Sequence, residues 1–163
     1  MKYLKGYNFS RSFFGERAPE QVQTIINKNY CEKNNYSYLM HVTEYSGENS
    51  TQMLFELLQN INDYDGLIFY SILMLPREIK KREYLFNKIV KNKKELHFAV
   101  ENLVIKNNKD LKKINDIFLL HQKNFIREKK IFNLGNEKNY VNYRHSKSKR
   151  NYIERVNKEK VQC

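Results

Sequence analysis

Residues 65–71 read DGLIFYS, and the fold follows from how they are read. Asp65-Gly66 is a turn pair. The run behind it is short, apolar and rich in β-formers, the composition of a strand covered on both faces. It is therefore expected at the centre of a sheet.

On the N-terminal side of this run, Lys2 to Phe9 reads as a first strand. Ser10 to Ala18, with Gly15 and several polar groups, reads as a loop. Pro19 suits the first turn of a helix, where its missing N–H costs nothing, and Val22, Ile25, Ile26 and Tyr30 follow at helical spacing. Tyr36 to Thr43 is a second strand. Ser50 is placed to cap a helix whose inner face is Met53, Leu54, Leu57, Leu58 and Ile61.

On the C-terminal side, Pro76 opens a third helix to about Asn92, with Ile79, Leu85, Phe86 and Ile89 on its buried side. Glu95 to Val100 is a fourth strand and Leu103 to Ile105 a short fifth. Asp110 caps or opens a long helix to about Lys130. Strand and helix alternate with short connections, which predicts an α/β domain: a mostly parallel sheet of four to five strands with helices on both faces.

The 163-residue chain is long enough for one buried core, and 40% hydrophobic content supplies it. No apolar run reaches membrane-spanning length, and the first residues lack the apolar stretch of a signal peptide, so a cytoplasmic protein is expected. Cys31 and Cys163 are the only cysteines, and no CxxC pair or clustered histidines suggest zinc. No GxGxxG, Walker loop or HExxH appears, so no cofactor is expected.

The net charge is +12, and its placement is uneven. Residues 129–163 hold ten Lys/Arg against three acids, +7 of the total, leaving +5 for residues 1–128. The end of the chain interleaves Tyr with Arg and Lys. Such a stretch can follow phosphates and stack bases, or it can be a solvated basic extension. Two regions are thus expected, the α/β domain at 1–130 and a basic extension at 131–163.

In an open parallel sheet, ligands bind beyond the carboxyl ends of the strands. Ser10 and Arg11 follow strand one, then Arg17 and Gln21 near the helix start; Glu44 and Tyr45 follow strand two, Ser71 strand three and Glu101 strand four. All should share one rim. Arg11 and Arg17 bracket a Gly-containing loop at a helix N-terminus, a place suited to anions. Glu44 and Glu101 are candidates for an acid/base pair or for ion pairs with those arginines. Ser10 as a nucleophile needs a base that its sequence neighbourhood does not supply. Gln21 and Gln23 face differently, so at most one reaches the rim. His97, inside a strand, is expected to be a hydrogen-bonded structural residue, and His121 to lie on a helix surface.

The strings GYNFSRSFFGERAPEQVQ, Tyr30-Cys31, TEYSG at Thr43 to Gly47, DGLIFYSILMLPRE at Asp65 to Glu78 and ELHFAVENLVI at Glu95 to Ile105 together resemble the sporadic carbohydrate cluster protein family. That resemblance covers roughly residues 3–120. It implies a place among bacterial genes for surface glycans such as lipopolysaccharide O-antigen; with Arg11 and Arg17 at the rim to hold an anionic group, a phosphorylated, nucleotide-linked or acidic sugar is the ligand expected.

The order of elements also resembles, more distantly, the catalytic domain of serine recombinases, a resolvase-like fold related to the flavodoxin-like arrangement. Tyr7 matches the opening Tyr-x-Arg-x-Ser strand. Phe9 stands in place of the arginine and Arg11 in place of the nucleophilic serine. LMLPR at Leu73 to Arg77 replaces Asp-Arg-Leu-Gly-Arg, keeping only Arg77 for an anion. Without most of the arginines that stabilise a phosphoryl transition state, an active recombinase is not expected. By the same resemblance the helix 110–130, with Leu111, Ile114, Ile117, Phe118 and Phe125 in a stripe, becomes a candidate homodimer contact; its alternative is packing on the sheet.

Three readings of function remain open at this level: an anionic-sugar protein of glycan biosynthesis, a nucleic-acid-binding resolvase-like module, and a non-catalytic partner of a glycan enzyme.

Overall fold

The alternation of apolar runs and amphipathic stretches folds into a five-stranded sheet in the order β2-β1-β3-β4-β5. The strands are β1 (Lys2–Phe9), β2 (Tyr36–Glu44), β3 (Gly66–Phe69), β4 (Glu95–Phe98) and β5 (Leu103–Ile105). The computed structural model describes residues 1–15, 17–47 and 49–128. The expected basic extension at 131–163 lies outside them, as does Cys163.

β1 pairs in parallel with β2 and β3, and β3 with β4, while β5 closes the edge antiparallel to β4. The four residues of β3 are all buried, and β3 is the middle strand, as its unbroken apolar run predicts. Each of its large side chains, Leu67, Ile68 and Phe69, gains about 1.5–3 kcal/mol from burial.

Helices cover both faces of the sheet. α1 (Glu20–Lys33) lies on the face of Leu4, where Tyr30 and Cys31 pack with Ile68. α2 (Gln52–Gln59) and α3 (Ile79–Lys91) lie on the other, where Tyr7, Phe69 and Phe98 form an aromatic row with centroids 4.7 and 5.9 Å apart. Phe55 and Tyr84 bring α2 against α3. A further helix, α4, runs over 108–128. Asn107 Oδ1 accepts from the Lys109 and Asp110 N–H groups while Asp110 Oδ2 accepts from Lys106 and Asn107, a reciprocal cap that fixes where it starts. The sheet and its packing belong to a unit spanning Met1–Gln122; of the second unit, which begins at Lys123, the described residues 123–128 are helical.

One irregularity shapes the β2 edge. Lys5 pairs with Leu39 but Tyr7 with Val42, so β2 carries one extra residue. The bulge puts Tyr38 and His41 together over Gly6, where a Cβ would clash with both, and leaves Met40 78% exposed.

Several expected details shift. α3 starts at Ile79 because Pro76 is buried in a turn that follows a 3-10 segment, Ile72–Met74. Ile79 is 60% exposed rather than inward-facing, and the buried residue of that first turn is Arg82. β4 ends at Phe98. Ser50 does not cap α2: its hydroxyl donates to Glu44, and the Glu44 carboxylate itself takes the α2 N–H groups.

Candidate functional site

Parallel register brings the strand ends to one rim. Phe9 stands beside Glu44, Tyr7 beside Phe69, and Phe69 beside Phe98. Ser10, Arg11, Glu44, Tyr45, Ser71 and Glu101 therefore follow strands that finish at the same edge of the sheet. There they divide into two separate networks.

The first is built around Glu44, fully buried. Its Oε2 accepts from the Tyr7 hydroxyl at 2.9 Å and the Leu54 N–H at 3.2 Å. Its Oε1 accepts from the Ser50 hydroxyl at 2.8 Å, the Tyr45 N–H at 3.1 Å and the Met53 N–H at 3.4 Å. Burial alone would raise this carboxyl, but the donors from Ser50, Tyr7, Leu54 and Tyr45 outweigh it and hold it below the usual carboxylate value. Tyr7, pushed far up by burial and by the Glu44 charge, stays a phenol donor.

Arg11 closes the same corner. Its Nη1 donates to the carbonyls of Tyr45 at 3.0 Å and Gly47 at 2.7 Å, its Nη2 to that of Ser50 at 2.7 Å, and the guanidinium lies 4.2 Å over the Phe9 ring. Ser10 Oγ donates to the Glu44 carbonyl at 3.0 Å. The loop after β2 is thus clamped to the end of β1.

The second network lies across β3. Ser71 Oγ donates to Glu101 Oε1 at 2.5 Å and accepts from the Leu73 N–H at 3.1 Å, and Glu101 Oε2 accepts from the Ile72 N–H at 3.1 Å. Glu101 and Ser71 together hold the start of the 3-10 turn. Glu44 ends β2 and Glu101 lies in the turn after β4, and those two strands are three spacings of about 4.8 Å apart, roughly 14 Å. The two carboxylates serve different turns and share no partner.

Arg17 is exposed in the loop before α1, and Gln21 is exposed in its first turn. Arg77 lies 4.7 Å over the Phe14 ring, which also meets Phe118 edge-on at 5.5 Å. Phe14 has φ 48°, a strained conformation for an aromatic residue. Tyr45 is more than half exposed.

Three groupings were not anticipated from the sequence. Gln23, not Gln21, reaches the end of β1: its Oε1 accepts from the Phe9 N–H at 2.9 Å and its Nε2 donates to the Phe9 and Ala18 carbonyls at 2.8 Å each. On the same face Asn8, Thr24, Asn27, His41, Thr43 and Glu20 form a polar seam, in which His41 Nε2 meets Glu20 Oε1 at 2.8 Å and Thr43 also donates to that oxygen. At the opposite end of the sheet, buried Glu95 gathers Lys2, Lys106 and His97 at 2.5, 3.4 and 3.0 Å. His97 also meets the Tyr30 hydroxyl at 3.0 Å, the hydrogen-bonded structural role its strand position predicted. Burial pushes His97 down to about 4 despite the Glu95 charge beside it. The signal for the seam was polar residues at Gln23 and Asn27, four apart, on the helix face that also carries Tyr30.

Among the described residues no three His, Cys, Asp or Glu side chains gather as a metal site, and no helix is long and apolar enough to cross a membrane.

No family model matches the chain, and no curated protein matches it. Solved structures do. The N-terminal catalytic domain of TP901-1 integrase is 18% identical with a TM-score of 0.50, over 73% of this chain and 97% of that one. A resolvase family site-specific recombinase from Streptococcus pneumoniae is 10% identical with a TM-score of 0.50, over 78% of this chain and 93% of that one. The fold is resolvase-like. The resemblance to surface-glycan proteins gains no counterpart in these comparisons.

Proposed function

We propose that this chain is a nucleic-acid-binding module that uses a resolvase-like body to hold DNA without breaking it. The net charge of +12 carries the reading: +7 falls within residues 129–163, interleaved with tyrosines, and +5 on the body. Cations in that number release counterions from a phosphate backbone, the main source of sequence-independent affinity.

The rim supports binding over cleavage. Phe9 and Arg11 occupy the positions that the recombinase pattern gives to an arginine and a serine, and Arg11 is laid against three carbonyls. Ser10 lacks a base: its hydroxyl donates to a backbone carbonyl. A cytoplasmic location goes with such a partner. Pairing of two copies through α4 belongs to the same proposal; Ile114 and Phe118 are already buried within the chain, and Leu120 at 64% and Ile126 at 49% exposure, with half-buried Ile117, are among the apolar residues α4 offers to a second copy.

The experiment incubates the full chain with supercoiled plasmid and with a labelled duplex. Retarded duplex with no nicked or covalently joined plasmid supports the proposal; cleavage products, or no retardation, reject it. Lys147→Glu, Lys149→Glu and Arg150→Glu combined should release the duplex.

An anionic sugar at the rim, as in surface-carbohydrate biosynthesis, is the second reading, favoured by exposed Arg17 and Gln21 at the head of α1. It ranks lower because Arg11, Glu44, Ser71 and Glu101 already hold turns of the protein itself. Thermal stabilisation by a nucleotide sugar, lost in Arg17→Ala, would promote it; failure of both tests would point to a protein partner instead.

A further inference from the structure

α3 and α4 enclose an open groove of about 230 Å³, lined by Ile79, Arg82, Phe86, Leu111, Lys112 and Asn115 together with Glu83 and Asn87 at its side. Arg82 is its unusual member. The residue is 2% exposed, yet no carboxylate forms an ion pair with it among the described residues. Its Nε donates to Asn115 Oδ1 at 3.0 Å and its Nη1 to the Pro76 and Arg77 carbonyls at 2.7 and 3.0 Å, with the guanidinium 4.6 Å over the Phe118 ring.

Those bonds leave Nη2 over. Among the described residues the fully enclosed side-chain atoms lacking a partner are Asn27 Oδ1 and the Tyr38 hydroxyl, so Arg82 Nη2 is not sealed in the core. Arg82 is itself a lining residue of the groove, which is where a ligand can meet that nitrogen. Asn115 is in a similar position: Arg82 takes its oxygen, which leaves its amide nitrogen as a donor. Lys112 adds a cation, and Glu83 is the one acid in the lining, so the groove keeps a net positive charge.

A buried guanidinium satisfied by neutral acceptors is a charge without a counterion, and such charges are costly to leave so. Burial lowers the Arg82 pKa, with Glu83 opposing. An anion with several acceptor oxygens would meet Nη2, the Asn115 amide and Lys112 at once, the pattern that guanidinium and ammonium groups give to phosphate. The walls of Ile79, Phe86 and Leu111 suit a few carbons beside it. The volume is below the roughly 300–1,000 Å³ of sites for drug-sized ligands, which limits the ligand to a small one.

We propose that the α3–α4 groove is a binding site for a small phosphate monoester, with Arg82 and Lys112 as its cations and Asn115 as the orienting donor. The groove uses neither the Glu44 nor the Glu101 network of the rim, and the proposal does not rest on the nucleic-acid reading.

The test is calorimetric titration of the full chain with glycerol 3-phosphate and with inorganic phosphate, using glycerol and sodium chloride at matched ionic strength as controls. Saturable binding of the phosphates, at least about tenfold weaker in both Lys112→Glu and Asn115→Asp, is expected. Asn115→Asp supplies Arg82 with an internal counterion, so it should keep or raise the thermal midpoint while losing the ligand, which separates loss of site from loss of fold. The combined Lys147→Glu, Lys149→Glu and Arg150→Glu chain should bind phosphate as the parent does. The proposal is overturned by absence of saturable binding at millimolar phosphate, by equal affinity in the two groove variants, or by loss only in the chain altered at 147, 149 and 150.

Discussion

The Tyr7 hydroxyl donates to Glu44 Oε2 at 2.9 Å across the β1–β2 pair, and through that carboxylate the central sheet is joined to the first turn of α2. A charged residue at a strand end, the usual mark of a ligand site in this kind of fold, is here the cap of a neighbouring helix.

Glu44→Ala leaves buried donors from Tyr7, Ser50 and three backbone N–H groups without an acceptor, and should cost about 3–5 kcal/mol in denaturant unfolding. Glu44→Gln should cost less, since one oxygen still accepts. Because the folded carboxyl sits below its ordinary 4.5, its contribution is present above that pH and is lost as the pH falls through the folded value. The parent's acid-induced loss of stability should shrink in Glu44→Gln.

Arg11→Ala should destabilise by about 1–3 kcal/mol, since three carbonyl bonds and the Phe9 stacking go together. Duplex affinity, measured where the variant is still folded, should change little. A large loss of affinity with unchanged stability would make Arg11 a ligand residue after all.

His97 binds a proton less readily when folded, at about 4 against 6.5 unfolded, so the unfolded chain takes up more protons between those values. The stability it permits is complete above 6.5 and falls as pH drops toward 4, with a slope of up to about 1.4 kcal/mol per pH unit. Chemical denaturation from pH 7 downward should show this decline, and His97→Gln should flatten it.

Gly66→Ala should be the more damaging of two glycine substitutions. A Cβ there would overlap the Glu95 backbone carbonyl of the neighbouring strand, which cannot step aside without parting β3 from β4. At Gly6 the obstacles are the tip of the Tyr38 ring, which can swing away, and the His41 Cβ, which yields only by a shift of the bulged edge strand β2. Thermal unfolding should place Gly66→Ala below Gly6→Ala, with costs of about 1–3 kcal/mol or more for the former.

The sheet and its order of elements were legible because strand and helix periods are local properties. DGLIFYS gave its central strand by composition alone, and Leu54, Leu57 and Leu58 gave the inner face of α2, while Ile61, expected on the same helix, is buried in the 3-10 segment after it. Where polar side chains point was not legible. Gln21 and Gln23 are equivalent in composition, and only the position of the β1 end over α1 selects Gln23. In IKKREYLFNKIVK, the cation that turns inward is set by the carbonyls of Pro76 and Arg77, which exist as acceptors only once the turn before α3 has formed. The bulge in β2 likewise exists only in its pairing with β1, which no local period of the chain reveals.

The most direct measurement of the central claim is duplex affinity of the full chain against salt concentration. Binding through phosphates predicts a straight fall of log affinity with log salt, with a slope steeper than about −4, and a slope shallower by about 2–3 when Lys147, Lys149 and Arg150 are replaced by glutamate. Affinity that ignores salt, or no binding even at low salt, would contradict it.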